Sequence, residues 1–567
     1  METKRGRFFG LGRGITHPFM VEKGEADNAQ LYDDRQIAAL LSTLDIPAGG
    51  DYTIAFILGQ TDKRDKALKL AKKYKSLDYV KKSLNNTRSW WLNLMGTVEV
   101  KTNQVEFDRY QNWLKYQALA ERIWARRGFY QTSGAYGFRD QLQDSVNLIW
   151  VDPALARKQI ILHASHQFFE GDVYHWFFTQ LDGRTAFACR SHASDNPLWL
   201  PWAIVEYVRT TGDYSLLDEM TSYVWSEFPF ADLPHNKTGW GHIYHRSTRA
   251  DSVYKHALRS IDLILEKRLG EHGIPLIRTG DWNDGLDEIG SEGRGESIWL
   301  GFFLYYVLRH MLPIIEKREG HGRKEHYLRK MQKLEDVLEG TWREDRYLRA
   351  IHDDGTEIGI KDSGVWEIDA LTAAWAVKAG VNLERSLIVF HTALEVLEKE
   401  DVILLGWPAL REDTKPYLGR SSRYPEGVRE NGMYCHGVQW LIRASRVLTE
   451  RFEKLGDYKK ADEYRAISYR LWRKITPIGH VGEDKIEIYG GQPNKQPADI
   501  LTNFEVGRMI WSGYTGAAGW LFHQSMSGVI GASLVNNKIV IPDDINKPRG
   551  KLKIERVFRD IKKSPLS

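Results

Sequence analysis

Helical spacing of apolar residues dominates the middle of the chain. Between residues 128 and 532, helical segments alternate with long loops that contain Gly and Asp. In residues 251–265, Asp251 or Ser252 is the predicted N-cap. The apolar residues of this segment that share one helical face are Val253, Ala257, Ile261 and Ile264. About a dozen such segments occur, so the pattern predicts a mainly α protein whose catalytic domain is an α/α barrel with functional loops.

The two ends of the chain have β patterning instead. Residues 51–59 predict a buried strand, so residues 1–60 are assigned to part of a β-sandwich. Residues 61–127 predict a helical linker, 128–532 the barrel, and 533–567 a short, incomplete C-terminal β segment. So few strands cannot form a stable sandwich. The missing strands are therefore expected on a second copy of the chain in a homodimer or on a different chain, unless this chain is shortened.

Composition excludes several classes of function. The 79 Lys and Arg residues nearly balance 75 Asp and Glu, and a formal charge of +4 over 567 residues gives no field suited to a nucleic acid. The longest apolar run, residues 299–308, ends at Arg309 and His310, short of a membrane span, and the N-terminus lacks a signal peptide. Two cysteines are too few for a disulfide framework. The sequence predicts a cytoplasmic protein without a membrane or nucleic-acid partner.

Aromatic content is high, with 20 Trp, 26 Tyr and 21 Phe. Aromatic faces stack against sugar rings, which suits a glycan cleft. Large helical cores use the same residues as volume, and composition alone favours that interpretation.

A glycine-flanked loop at residues 279–287 carries the densest chemistry. It holds three carboxylates, Asp281, Asp284 and Asp287, around Trp282. The spacing lacks the terminal bidentate Glu of an EF-hand loop, which disfavours calcium. An Asp beside a Trp fits a general acid, because an apolar neighbour raises the pKa of a carboxyl group that must protonate a leaving glycosidic oxygen.

Three other segments are rich in polar residues. In residues 134–144, a capped helix with an ion pair is favoured over catalysis for Arg139 and Asp140. Residues 166–176 hold two His and two acids without zinc spacing, so a polar, aromatic loop lining a cleft is favoured.

In residues 189–201, planar side chains suit bidentate hydrogen bonds to vicinal sugar hydroxyls. The polar side chains of this turn are Arg190, His192, Asp195 and Asn196. The alternative is that Ser194 or Asp195 only caps the helix that follows.

Two late segments, residues 424–436 and 507–520, suit an anion. Their candidate donors are Arg429, His436, Arg508 and Thr515. Gly-rich turns at helix starts also present backbone N–H groups to an anion. Taken by itself, the second segment favours close helix packing through small residues. The cationic side chains, the Thr515 hydroxyl and the glycines of both segments together favour a phosphate site.

In this order, the segments resemble the motifs of glycoside hydrolase family 94, which includes cellobiose and chitobiose phosphorylases and the C-terminal part of cyclic β-1,2-glucan synthases. The similar segments are GAYGFRDQLQD, HQFFEGDVYHW, SDNPLWLPWAIVEYVRTTGD, GIPLIRTGDWNDGL, GESIWL, YPEGVREN and YTGAAGW. The resemblance covers nearly the whole chain. It implies an N-terminal β-sandwich, a helical linker, a six-hairpin α/α barrel and a small C-terminal β domain. Since members are commonly longer at the N-terminal end, it also implies a shortened member. GFRDQLQD and YPEGVREN resemble the β-1,2-glucan branch most.

The resemblance also implies roles for single residues. Asp284 matches the general acid, Trp282 flanks the sugar subsite, and His436 and Thr515 match the phosphate site. The residues implied in substrate binding are Arg190, Asp195, Trp282, Asn283 and Glu430.

Three departures from the family pattern accompany these matches. Asp195 is followed by Asn196 instead of a second acid, and His192 stands where a second Arg is expected. The stretch from Glu430 to His436 is one residue shorter than usual. Ala517 replaces a common Ser or Thr in the phosphate loop.

The predicted reaction is inverting phosphorolysis of a β-glucoside, including β-1,2-linked gluco-oligosaccharides, to α-glucose 1-phosphate. Phosphate is itself a nucleophile, so one carboxylic acid suffices and no metal or organic cofactor is expected. A hydrolase or transglycosylase would need a base such as Glu170 or Glu430. A non-catalytic glycan-binding subunit is the other alternative.

Overall fold

The computed structural model describes residues 1–30, 35–124, 134–179, 187–227, 240–512, 516–541 and 553–556. Helices take up 50% and strands 15%, which confirms the prediction of a mainly helical protein. The chain forms two compact units, residues 1–86 and 87–567.

The helices are numbered in chain order. They are α1 Arg5–Phe9, α2 Phe19–Lys23, α3 Arg64–Tyr74, α4 Leu77–Met95, α5 Val105–Gln117, α6 Phe138–Asn147, α7 Pro153–Ala164, α8 Trp199–Thr211, α9 Val253–Lys267, α10 Ile298–Glu319, α11 His321–Gly340, α12 Ala370–Ala379, α13 Leu383–Leu397, α14 Cys435–Val438, α15 Trp440–Lys454, α16 Tyr458–Ile475, α17 Ile486–Tyr489 and α18 Ala517–Gln524.

The strands are short. They are β1 Val98–Lys101, β2 Tyr136–Gly137, β3 Tyr174–Phe177, β4 Phe187–Arg190, β5 Met220–Trp225, β6 Trp240–Ile243, β7 His245–Ser252, β8 Glu296–Ser297, β9 Trp342–Arg343, β10 Arg346–Tyr347, β11 Ala350–Ile351, β12 Glu357–Ile358, β13 Ile368–Asp369, β14 Gly406–Trp407, β15 Met433–Tyr434, β16 Pro497–Ile500, β17 Met509–Ser512, β18 Ser533–Val535, β19 Lys538–Val540 and β20 Lys553–Arg556.

The strand predicted at residues 51–59 is absent, and this prediction was wrong. The segment carries no regular structure, and Phe56 and Leu58 are 68% and 99% exposed. A strand needs a neighbour to satisfy its backbone N–H and C=O groups. The described residues of the 1–86 unit contain no named strand, only an isolated bridge between Glu2 and Ala39. The partial β-sandwich stays a prediction.

The C-terminal β segment was predicted to be incomplete, with unpaired strands, but each of its described strands has a partner in this chain. The extent of the segment stays a prediction. Strand β20 pairs antiparallel with β1, with Val98 opposite Arg556 and Lys101 opposite Lys553. Strands β18 and β19 form a hairpin with each other. The partner of β20 lies more than four hundred positions earlier in the chain, so no local pattern could reveal it.

Six helices of the larger unit contact one another in succession. Helix α6 contacts α8, α8 contacts α10, α10 contacts α12, α12 contacts α15, α15 contacts α18, and α18 contacts α6 again. These are called the inner helices below. A second set, α5, α7, α9, α11, α13 and α16, packs against them.

Aromatic side chains fill the space between the inner helices. Trp299 and Trp440 stack with ring centroids 6.2 Å apart and planes within 7° of parallel. Phe303 packs on Trp199 and Trp375 at centroid distances of 4.6 and 4.9 Å. These five side chains are buried, so much of the aromatic content serves as core volume, as composition alone suggested.

Helix α10 is apolar on nearly all sides and is buried in the core. Its Ser297 N-cap accepts from the Leu300 N–H, and apolar residues surround the helix almost completely. Among the described residues, it is the helix long and apolar enough to cross a membrane by composition, and 83% of its most apolar stretch is buried inside the protein. Burial of this kind is typical of a central core helix.

Short strands lead directly into several inner helices. Strands β2, β8 and β13 end at the residue before α6, α10 and α12, and β15 ends directly before the short helix α14 that precedes α15. The loops before these strands are therefore held at the N-terminal ends of the inner helices. This arrangement places the motif residues together.

Phe303→Ala is expected to lower the free energy of unfolding by about 3–5 kcal/mol, because it opens a cavity between Trp199 and Trp375. The matched control is Phe504→Ala, at a position that is 72% exposed, where a change within about 0.5 kcal/mol is expected. Chemical denaturation of both variants measures the difference. Equal losses would contradict this account of the core.

Candidate active site

Arg139 joins two motif loops at the start of α6. Its Nη1 donates to both carboxylate oxygens of Asp195, each at 2.9 Å, and its Nη2 donates to Asp284 Oδ1 at 2.7 Å. Nη1 also donates to the Asp281 carbonyl at 3.0 Å. Arg139 forms Arg–Asp pairs, as predicted, but with Asp195 and Asp284, which lie far along the chain.

Burial of Arg139 opposes its charge, but Asp195 and Asp284 outweigh that cost and hold the pKa of the guanidinium above its ordinary value. Asp195 is also fixed by Trp199, whose indole N–H donates to it at 2.8 Å. Asp195 makes no side-chain capping hydrogen bond. The interpretation of Asp195 as a simple helix cap was therefore wrong.

The three carboxylates of residues 279–287 have separate arginine partners. Asp281 accepts from Arg349 at 2.7 and 2.9 Å, whereas Asp284 accepts from Arg139 and Asp287 from Arg420 at 2.7 Å. Carboxylates directed at guanidinium groups do not form a shared cage for a cation. In the described part of the chain, no group of three or more His, Cys, Asp or Glu is placed to hold a metal ion.

Asp281 and Asp284 differ sharply in environment. Asp281 is fully buried, accepts from Ser297 Oγ at 2.6 Å, and shares Arg349 with Asp369, whose carboxylate is 2.5 Å from Arg349 Nε. The Asp284 side chain is 26% exposed, and His175 Nε2 lies 3.8 Å from it. Asp281 therefore stabilises the loop, while Asp284 is open to a ligand.

A glycine allows this loop to turn. Gly280 has φ of 110°, and a Cβ there would lie 3.0 Å from the Asn283 carbonyl and 3.3 Å from Asp284 Cα. A side chain at this position would strain the backbone and displace Asp284.

His436 is neutral, and its tautomer is fixed by its neighbours. The Trp520 indole can only donate, and it does so to Gln143 Oε1 at 2.8 Å. That oxygen is also 3.1 Å from His436 Nε2, so Nε2 carries the proton and Nδ1 is an acceptor. Burial lowers the pKa of His436 to about 3, with Asp140 opposing and nearby arginines adding to the shift.

Gly516, the residue before α18, approaches His436 closely. A Cβ at Gly516 would lie 2.8 Å from His436 Cε1 and 3.3 Å from Asp144 Oδ1, so only glycine fits. Thr515, the other predicted phosphate contact, lies outside the described residues.

Further charges surround His436. Arg122 donates to Asp144 at 2.9 Å and lies 3.5 Å from Asp140, whose side chain is 28% exposed. The Arg429 guanidinium lies 4.5 Å from the Tyr434 ring centre, and its backbone has φ of 54°. Left-handed backbone at a non-glycine residue is costly, and such strain concentrates at functional sites.

The other predicted substrate residues are buried in supporting positions. Arg190 donates to Asp172 at 2.8 and 2.9 Å and lies 3.5 Å above Phe168. Asn283 accepts from Arg349 at 3.2 Å, and Glu430 lies 3.6 Å from Arg429. Trp282 packs on Tyr434, His436 and Trp440. Through these contacts they fix the shape of the site.

Sequence reasoning misplaced one candidate and missed another. Arg508 forms an exposed pair with Glu505 at 3.2 Å, so the prediction of an anion donor there has no support from its contacts. His175, held by Ser191 at 3.0 Å and facing Asp284, was treated only as part of a polar loop. Its neighbours Val173, Tyr174, Trp176 and Phe177 are β-branched or aromatic, which is typical of a strand and was the available signal.

Asp281→Asn is expected to lower the free energy of unfolding by about 3 kcal/mol or more, because it leaves Arg349 and Asp369 in a broken buried network. Asp284→Asn, at the partly exposed position three residues later, is expected to change it by about 1 kcal/mol or less, since Arg139 keeps Asp195. Parallel denaturation curves test this contrast. A reversed order would refute the assigned roles.

Two family profiles and several known proteins match the chain. The profile described as the glycosyl hydrolase 94 superfamily catalytic domain matches residues 90–531, and the one described as the glycosyl hydrolase 94 supersandwich domain matches residues 1–77. The cyclic β-(1,2)-glucan synthase NdvB of Rhizobium meliloti is 34% identical over 95% of this chain and 18% of its own length.

Two phosphorylases are more distant relatives. Solabiose phosphorylase of Paenibacillus borealis is 25% identical over 98% of this chain and 66% of its own length. The N,N'-diacetylchitobiose phosphorylase of Vibrio furnissii is 23% identical over 93% of this chain and 64% of its own length. The chain thus spans less than two thirds of each of these three proteins. The catalytic-domain match covers most of the chain and includes every described contact around Arg139, and the chain belongs to the glycosyl hydrolase 94 superfamily.

Proposed function

We propose that this chain catalyses inverting phosphorolysis of β-glucosides, releasing α-glucose 1-phosphate and a shortened acceptor. The observation that carries the proposal is the isolation of Asp284 as the accessible carboxylate of its loop, oriented by Arg139. A single oriented acid is what phosphorolysis requires, because phosphate needs no base to become a nucleophile.

In the proposed reaction, an oxygen of phosphate attacks the anomeric carbon from the face opposite the leaving group. The glycosidic C–O bond breaks as Asp284 transfers its proton to the departing oxygen. Asp195 acts through Arg139, which restricts the position of the Asp284 carboxyl group. The configuration at the anomeric carbon inverts, and no metal or organic cofactor takes part.

The proposed phosphate site lies around His436. The acceptor Nδ1 of the neutral imidazole suits a hydrogen bond from a phosphate O–H, and Arg429 supplies positive charge. Gly516 allows the start of α18 to approach, and Thr515 is proposed to donate its hydroxyl. These groups stabilise charge on phosphate as the transition state forms.

The proposal includes a specific fold for the catalytic domain and a specific class of substrate. The closed succession of inner helices, with outer helices packed on them, supports a six-hairpin α/α barrel. Identity of 34% with a cyclic β-(1,2)-glucan synthase supports β-1,2-linked gluco-oligosaccharides as substrates. Cytoplasmic location, and a homodimer or second chain completing the sandwich, belong to the same proposal.

Hydrolysis is the second candidate reaction, and the partly exposed carboxylate of Asp140 favours it because a hydrolase needs a base. Of the two bases first considered, Glu170 is exposed on a turn and Glu430 is buried beside Arg429. Asp140 is better placed as a base, because its carboxylate is 28% exposed and lies 3.5 Å from Arg122. Phosphate dependence separates the two reactions, and sugar binding without turnover would indicate a non-catalytic subunit.

Asp284→Asn is expected to reduce phosphorolysis of β-glucobioses by about a hundredfold or more, because an amide cannot donate the proton. The loss should shrink on a 2,4-dinitrophenyl β-glucoside, whose leaving group needs no protonation. Asp354→Asn, at an exposed loop position, is the control with unchanged rates. A uniform loss on both substrates would remove Asp284 from the role of acid.

His436→Ala is expected to raise the KM for phosphate by about 5- to 150-fold, which corresponds to a lost hydrogen bond of about 1–3 kcal/mol, with little effect on the KM for glucoside. Ala517→Ser should lower the KM for phosphate by restoring a hydroxyl. His321→Ala, on the exposed start of α11, is the control.

Initial rates across a phosphate titration measure these effects. Reducing sugar released at an undiminished rate without phosphate would establish hydrolysis and refute phosphorolysis.

A further inference from the structure

A cavity separate from the candidate active site lies toward the C-terminal ends of the inner helices. It has a volume of about 630 Å³ and is lined by residues of α8, α12, α15 and α18, including Thr210, Lys378 and Lys454 near the C-terminal ends of the first three. This space is called the basal cavity. Asp369 begins α12 on the side of the candidate active site, and Lys378 near its other end lines the basal cavity. Nine residues of helix separate these positions by about 14 Å, so the two sites are distinct.

Lys378 places a poorly compensated cation in this cavity. Its Nζ lies 3.4 Å from the ring centre of Trp375, 5.4 Å from Tyr306 and 5.5 Å from Trp520. Within the described residues, no hydrogen bond or ion pair holds the ammonium. Burial lowers its pKa to about 7, with Glu206 opposing. Aromatic faces offset only part of the cost of burying an ammonium.

Arg446 presents unsatisfied donors to the same cavity. Its side chain is 1% exposed, and neither Nη atom has a hydrogen-bond partner. Glu450 is 3.4 Å from Nε, and Glu453 is 3.8 Å from Nη2. The Gln524 amide is also buried with neither polar atom bonded. Buried donors without a protein partner are met in native proteins by water, an ion or a ligand.

With Lys378 protonated, the formal charges of the lining sum to an excess of two positive charges. Five cationic residues, Arg209, Lys378, Arg443, Arg446 and Lys454, face three carboxylates, Glu206, Glu450 and Glu453. Glu206 is occupied by Arg209 and Glu450 by Arg443, each at 2.9 Å. Among the described residues, Lys378 has no carboxylate within ion-pair distance, and the Nη groups of Arg446 have only Glu453, 3.8 Å from Nη2. An excess of two positive charges matches a dianion.

The walls of the basal cavity suit a ring. Trp150, Trp202, Trp520 and Tyr306 line it, and aromatic faces pack well against sugar rings. The volume falls within the range of small-molecule sites. We propose that the basal cavity binds an organic phosphate monoester of sugar-phosphate size, whose dianion is balanced by Lys378 and Arg446.

A purely structural role for the cations makes different predictions. Lys378 lies in the last turn of α12, where a cation stabilises the partial negative charge of the helix end. That role does not explain Arg446, which lies within α15, Trp440–Lys454. It also predicts that Lys378→Met lowers the melting temperature. If Lys378 serves a ligand, removing an uncompensated ammonium leaves the melting temperature of the ligand-free protein unchanged or raises it.

Calorimetric titration with glucose 6-phosphate tests the proposal without an activity readout. One equivalent should bind to the wild type, to His436→Ala, in which the proposed catalytic anion site is altered, and to the control Lys333→Met on exposed α11. Affinity should fall at least tenfold in Lys378→Met and in Arg446→Gln. Inorganic phosphate should bind more weakly than the ester, and glucose should not bind.

Three results would overturn the proposal: no binding of glucose 6-phosphate, binding lost in His436→Ala but kept in both basal variants, or equal affinity for inorganic phosphate. If a basal variant fails to fold, crystals of the wild type soaked with glucose 6-phosphate decide the question, because density for the phosphate must then lie in the basal cavity. Failure of phosphorolysis would leave this binding result untouched.

Discussion

The guanidinium of Arg139 is the interaction on which the site depends. It is buried at the start of α6 and holds Asp195, from the turn before α8, and Asp284, from the loop before α10. Removing a buried cation of this kind would leave two carboxylates facing each other in a medium that screens charge poorly. The position of Asp284 thus depends on two other loops, and through Trp199 on the aromatic core that carries them.

Residues of the same type have different roles in this site, because some hold the loops in place and others remain accessible to a ligand. The loop at residues 279–287 has three aspartates, yet Asp281 and Asp287 are committed to Arg349 and Arg420. They fix the loop so that the third can serve chemistry. The same principle applies to His436, whose Nε2 proton is committed to Gln143 so that Nδ1 is left as an acceptor. Preorganised groups of this kind cost no rearrangement at the moment of reaction.

The sequence predicted the helical class, the family and two residues of the site. The contacts between distant loops could not be predicted, for physical reasons. Apolar spacing predicted α9, and its cap proved to be Ser252. The motifs predicted the family and identified Asp284 and His436 as candidates. The partners of Arg139 could not be predicted, because they lie 56 and 145 positions away and are joined only by the packing of the inner helices. Residues 51–59 have the pattern of a buried strand, yet lack neighbours to pair with, and pattern alone carries no information about partners.

The central claim is that phosphate attacks the anomeric carbon with inversion while Asp284 protonates the leaving group. NMR analysis of products formed from a β-1,2-linked glucobiose and phosphate, in water labelled with oxygen-18, tests it most directly. The account predicts glucose 1-phosphate with the α-anomeric proton signal and no heavy oxygen at the anomeric carbon. Two equivalents of free glucose for each glucobiose cleaved, with no glucose 1-phosphate, or formation of the β-phosphate, would contradict it.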